Sequence, residues 1–188
     1  RILQYDADFK PKGVLWTEGH RHLVMGLTFD PQGTLWGFDI HTQKVLRVDR
    51  YGRQMPDHTF AHRAFGTAAF GKDGSIYLGE TLKGSKPYWG SMMKYVPGTN
   101  RIGEGHVLKF DKDRKFVKAF GGPGAEEGKF NTCHGIVVDT RGRKPLVLVC
   151  NRNNTRVEHW DLDGNFVRVI QKDLRMPAAV NIQGNYAV

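Results

Sequence analysis

The chain has 188 residues, enough for one domain or part of one. An apolar fraction of 39% and a charged fraction of 25% exclude a disordered polymer, and no apolar run approaches the ~18 residues of a membrane helix. A formal net charge of +9 predicts a basic surface that suits nucleic acid, an anionic glycan or an anionic cell surface without choosing among them, while 23 glycines and 11% aromatics favour a turn-rich all-β fold.

Two signatures recur along the chain. The first is a short apolar strand closed by Asp, then a turn and another strand. It reads Ile2-Leu3-Gln4-Tyr5-Asp6, Val45-Leu46-Arg47-Val48-Asp49, Val107-Leu108-Lys109-Phe110-Asp111 and Val157-Glu158-His159-Trp160-Asp161. The second is a strand, a Gly turn and a strand. It appears at 26–36, 67–78 and 135–149, and again from Ala178 to Val188. Val and Phe suit pleated strands, and Asp and Gly supply hairpin turns. Together the signatures predict four-stranded meanders with strands A to D. One spans residues 25–56, one 66–120 with an insertion over 81–105, and one 134–170. Residues 1–16 hold the end of a preceding meander, and 177–188 the start of a following one. Periods of about 40–50 residues characterise propellers, in which stacked blades bury both faces of each sheet. The expected fold is therefore all-β, a propeller of four-stranded antiparallel blades occupying residues 1–188. Three blades and two halves leave the ring incomplete, so a longer chain with six blades is expected.

Asp6, Asp49, Asp111 and Asp161 stand at one place in every repeat. Repetition argues for turn-forming carboxylates and against catalysis, because an active site is needed once. Asp30 and Asp139 are expected in the A–B turns. Trp36 and Trp160 fall on predicted strands and Trp16 at a strand end, so packing between blades is expected for all three. Cys133 and Cys150 are compatible with one bridge or with two thiols.

The third repeat carries Gly121-Gly122-Pro123-Gly124, Glu127-Gly128-Lys129-Phe130, His134-Gly135-Ile136-Val137-Val138-Asp139 and Asn151-Arg152-Asn153-Asn154-Thr155-Arg156-Val157. This resembles the NHL repeat, and within that family it is nearest to the peptidyl-α-hydroxyglycine α-amidating lyase and its bacterial relatives. The resemblance implies a six-bladed ring in an exported protein, periplasmic or secreted. It also implies metal-assisted lyase or hydrolase chemistry on a small molecule or peptide, with zinc, or else calcium, on the propeller axis. His134 occupies the position of an axial ligand. Met25 and Gly66 stand at the matching positions of the other two blades. His20, His22 and His62 fall in the other D–A connections as substitutes.

D–A and B–C connections share one end of a meander, so His134 and the 81–105 insertion are expected together. Lys83, Lys86, Tyr88, Trp89, Arg101 and Arg152 form a candidate ligand surface there, with cations and stacking rings. The rival reading is a non-catalytic scaffold that binds protein, glycan or nucleic acid through this loop face.

Overall fold

A computed structural model describes residues 2–16, 24–39, 45–58, 68–80 and 105–188. Sixteen short strands appear among them. The first hairpin pairs β1 (Ile2–Tyr5) with β2 (Pro11–Trp16). Three four-stranded antiparallel meanders follow. The first holds β3 (Val24–Phe29), β4 (Leu35–Asp39), β5 (Val45–Val48) and β6 (Gln54–His58). The second holds β7 (Ala68–Phe70), β8 (Ile76–Glu80), β9 (His106–Phe110) and β10 (Phe116–Gly121). The third holds β11 (Cys133–Asp139), β12 (Leu146–Asn151), β13 (Arg156–Asp161) and β14 (Phe166–Ile170). A last small hairpin joins β15 (Ile182–Gln183) to β16 (Tyr186–Ala187). It is shorter than the strand expected from Ala178, since residues 178–181 pack against β11 without joining a strand.

Strand alternation explains how the sheets stack. In β12, Val147 and Val149 enter an apolar layer with Tyr77, Val107, Phe130 and Trp160, which joins the second sheet to the third. Leu148 and Cys150, on the opposite face, enter a layer with Val180 and Ile182 of the last segment. In β8, Ile76 and Leu78 face Trp36, Phe38 and Val45 of the first sheet, while Tyr77 faces the third. Leu35, Leu46 and Val48 pack on Ile2 of the first hairpin. Strands buried on both faces read as continuous apolar runs, as Leu146 to Cys150 does. Trp36 and Trp160 are buried in these layers, the packing role their strand positions predict. The side chain of Trp16 lies outside the described residues.

The repeated carboxylates build turns. Asp49 Oδ1 accepts the amides of Tyr51 and Arg53, each at 2.9 Å. The same pair of bonds recurs at Asp6, Asp111 and Asp161, and at Asp30 in an A–B turn. The third residue after the Asp takes the left-handed conformation. Gly52 (φ 81°) and Gly164 (φ 79°) fill that place without strain, but Phe9 (φ 60°) fills it after Asp6 with its ring 86% exposed. A left-handed non-glycine costs about 1–2 kcal/mol, partly offset by the chain entropy that Gly loses on folding. Phe9→Gly should therefore raise stability by up to ~1 kcal/mol, seen as a higher urea midpoint.

Cys133 and Cys150 form no disulfide and are buried on opposite faces of the third sheet. A register shift between Cys133 and Ile136 sets Cys133 opposite Asn151. Cys133 therefore points toward the second sheet and Cys150 away from it, so a bridge between them would have to cross the sheet. Burial pushes the Cys150 thiol up to about 11.

Asp139 at the β11–β12 turn takes three bonds from Arg141: the amide at 3.0 Å, Nε at 2.8 Å and Nη2 at 2.7 Å. Arg141 also donates to the carbonyl of Asn185, joining this turn to the last hairpin. These contacts, led by the Arg141 side chain, hold the Asp139 carboxyl at about 2 against its ordinary 3.8. A lowered folded value stabilises the fold above the unfolded value and loses that contribution as pH falls toward 2. Allowing for surface screening, this amounts to about 1–2 kcal/mol. Acid titration should therefore weaken the fold between pH 4 and 2 through Asp139. Asp139→Asn should flatten that part of the stability–pH curve.

Candidate functional site

The innermost strands of the three sheets, β3, β7 and β11, run side by side and curve around a cavity of about 710 Å³, which residues 178–181 flank on the other side of β11. Its wall is apolar for most of its length, with Leu27, Phe29, Phe70, Val138 and Ala178 among the lining side chains. Leu27 and Phe29 are well exposed to it, at 48% and 65%.

His134 lines this cavity near the start of β11, where a residue just before the innermost strand is expected to reach the axis. Its Nδ1 lies 2.6 Å from the carbonyl oxygen of Ala178, so Nδ1 carries the proton and donates. The lone pair is then on Nε2. Burial lowers the imidazole below its ordinary 6.5, the Ala178 carbonyl opposes that shift, and the charge of Arg152 adds to it. The site thus holds a neutral ring with a fixed tautomer and one acceptor nitrogen. The close approach of residues 178–180 is possible because position 135 is Gly, as a Cβ there would lie 2.6 Å from the Ala179 Cα and 2.9 Å from the Ala178 oxygen.

Arg152 opens a short 3-10 turn, Arg152–Asn154, immediately after β12. Its amide donates to the Thr132 carbonyl. Its Nε is buried without a hydrogen-bond partner among the described residues. His134 and Arg152 are the two predicted site residues that the described structure brings into one neighbourhood. Glu80 and Gly105, the described residues that flank positions 81–104, lie at the same end, where Gly105 bridges to Phe130 just ahead of β11. Lys83, Lys86, Tyr88, Trp89, Arg101, His20, His22 and His62 lie outside the described residues.

His134 supplies one imidazole, Met25 occupies the matching position of β3, and no group of three metal-ligating side chains forms among the described residues.

Sequence reasoning missed the clamp that holds this end together. Arg156, 5% exposed, donates to the carbonyls of Ala125 (2.8 Å), Lys129 (3.0 Å) and Glu126, and pairs with Glu158 at 2.8 Å. Asn151 donates to Lys129 O and Glu158 Oε1, and Asn154 donates to Gly124 O. The spacing Asn151-x-x-Asn154-x-Arg156-x-Glu158 was the available signal. These side chains fasten residues 124–131, the connection into β11, and so fix where His134 begins.

No family model matches the chain. A stretch of 51 residues is 43% identical to Protein lin-41 of Caenorhabditis elegans, covering 27% of this chain and 4% of that protein. Virginiamycin B lyase from Staphylococcus aureus superposes with a TM-score of 0.59 at 11% identity, over 95% of this chain and 51% of that one. The chain is an arc of a β-propeller. A catalytically inactive histidine-to-alanine variant of the same lyase, solved with quinupristin, superposes at 0.58 and 11% identity, over 95% of this chain and 51% of that one. The WD40 repeats of RRP9 superpose at 0.56 and 12% identity, over 87% and 43%. The chain spans about half the length of these solved propellers. At such identities the likeness extends to the fold alone.

Proposed function

We propose that this arc belongs to an NHL-type, six-bladed propeller whose function is to bind a small ligand on its axis. The observation that carries this reading is His134. It is neutral, its tautomer is fixed by Ala178, and its acceptor nitrogen belongs to the wall of a half-open, mostly apolar cavity. Apolar cavities of ~300–1,000 Å³ with a few placed polar groups are the usual form of a small-molecule site. The test is a fragment screen by NMR on the full-length protein. Hits should move the imidazole nitrogens of His134 and the methyls of Leu27 and Val138. Hits confined to the outer strands β10 and β14 would overturn the reading.

A second reading, lyase or hydrolase chemistry in the same cavity, draws support from the likeness to virginiamycin B lyase and its inactive histidine variant. It requires a metal or further reacting groups from outside the described residues. Elemental analysis of the full-length protein, with and without His134→Ala, separates the two. Stoichiometric metal that disappears in the variant favours the lyase reading.

A further inference from the structure

We infer that the axial cavity selects an uncharged, largely apolar ligand that donates one hydrogen bond to Nε2 of His134. This rests on the axial-site reading above and adds the chemical class of the ligand.

Three features of the cavity lead there. Its wall over β3, β7 and β11 presents Leu27, Phe29, Phe70 and Val138, which reward apolar contact, and the remaining polar side chains of the lining, Thr28 and Asn181, carry no charge to offset the water an ionic group would lose. The polar groups at its two ends are unequal. At the turn end, Asp30 is engaged on both oxygens, Oδ1 by the amides of Gln32 and Thr34 and Oδ2 by the Trp36 indole at 2.8 Å. At the other end, His134 has spent its only N–H on the Ala178 carbonyl, so Nε2 can accept and cannot donate.

That asymmetry sets the selectivity. A carboxylate or phosphate meeting Nε2 would face lone pair against lone pair. It would first have to protonate a ring that burial and the nearby Arg152 keep neutral. Arg152 lies outside the lining of the cavity, and its cation acts on His134 from behind the wall. An ether or hydrocarbon of the same shape would make the apolar contacts but leave Nε2 without a partner. A phenol, an indole N–H or an amide N–H satisfies it.

The experiment uses three probes of one shape on the full-length protein, followed by calorimetry or saturation-transfer NMR. These are 2-naphthol (donor), 2-methoxynaphthalene (no donor) and 2-naphthoate (anion). One neutral hydrogen bond should favour 2-naphthol over the ether by about three- to tenfold, with 2-naphthoate weakest. His134→Ala should erase the naphthol–ether difference while leaving both bound. Phe29→Ser, a wall substitution far from the hydrogen bond, should weaken all three together and keep their order. Equal binding of naphthol and ether to the parent protein, or tightest binding of naphthoate, overturns the ligand class while leaving an axial site in place. Retention of the naphthol preference in His134→Ala also overturns it. If none of the three binds, the axial-site reading fails with it.

Discussion

Replacing Arg156 by Ala should cost about 3–5 kcal/mol of folding stability. Its guanidinium binds three carbonyls of the 124–131 connection and one carboxylate, and the carboxylate is the reason for the size of the effect. Glu158 is fully buried. Burial pushes its carboxyl up, and Arg156 and Asn151 pull it back down. Without Arg156, Glu158 keeps the 2.9 Å bond from Asn151 and the nearby Trp160 indole, but it must either stay charged without its cation or take up a proton. Urea unfolding of the parent and Arg156→Ala measures the loss. The double variant Arg156→Met/Glu158→Gln separates the two roles. It removes the buried charges together, which should recover much of the stability, but it takes the Arg156 donors from the carbonyls of Ala125 and Glu126 and leaves Lys129 O to Asn151. A double variant as stable as the parent would mean that the loop clamp contributes nothing. One no better than Arg156→Ala would mean that the stranded Glu158 charge was not the cause.

The contrast between Arg156 and the turn aspartates shows which parts of this molecule are legible from sequence. Asp49, Asp111 and Asp161 act on amides two and four residues away, so their role is written in a short window and repeats with the blade. The propeller was legible for the same reason, as each meander is a local unit and only stacking is non-local. The carbonyls that Arg156 binds lie 27 to 31 residues away and belong to a connection with no strand pattern. Position in the repeat could suggest that Arg156 packs inward, but not what it holds. The cysteines show a subtler limit. The pairing of Asp139 with Leu146 follows from hairpin length. The irregularity between Cys133 and Ile136 does not, and it decides which face Cys133 takes. His134 lies between these cases. Its place on the cavity wall follows from its place at the start of the innermost strand. Its hydrogen-bond partner does not, because Ala178 belongs to a segment that carries no side-chain signal for the contact.

That contact can be broken without touching His134. Gly135→Ala should destabilise the protein by about 3 kcal/mol, at the upper end of the range for overpacking, because the obstacle is backbone. The added Cβ would sit 2.6 Å from Ala179 Cα, 2.9 Å from Ala178 O and 3.1 Å from Val180 N, and none of these can yield by a rotamer change. The segment must move as a unit, and it carries with it the carbonyl that fixes the His134 tautomer and the Val180 and Ile182 contacts that cover Cys150 and Leu148. Two local readouts should accompany the global loss. The His134 imidazole, freed from Ala178, should exchange between tautomers, visible in its nitrogen chemical shifts. Cys150, held at about 11 by burial, should become reactive to a thiol reagent near neutral pH as its cover lifts. Cys133 serves as the internal reference, since it lies in the layer on the opposite face of the sheet and should stay protected. If both cysteines react together, the variant has unfolded globally and the segment is no separate unit. If neither reacts and the tautomer stays fixed, then residues 178–180 do not depend on the absence of a side chain at position 135, and the close packing of this segment on β11 is not what orients His134.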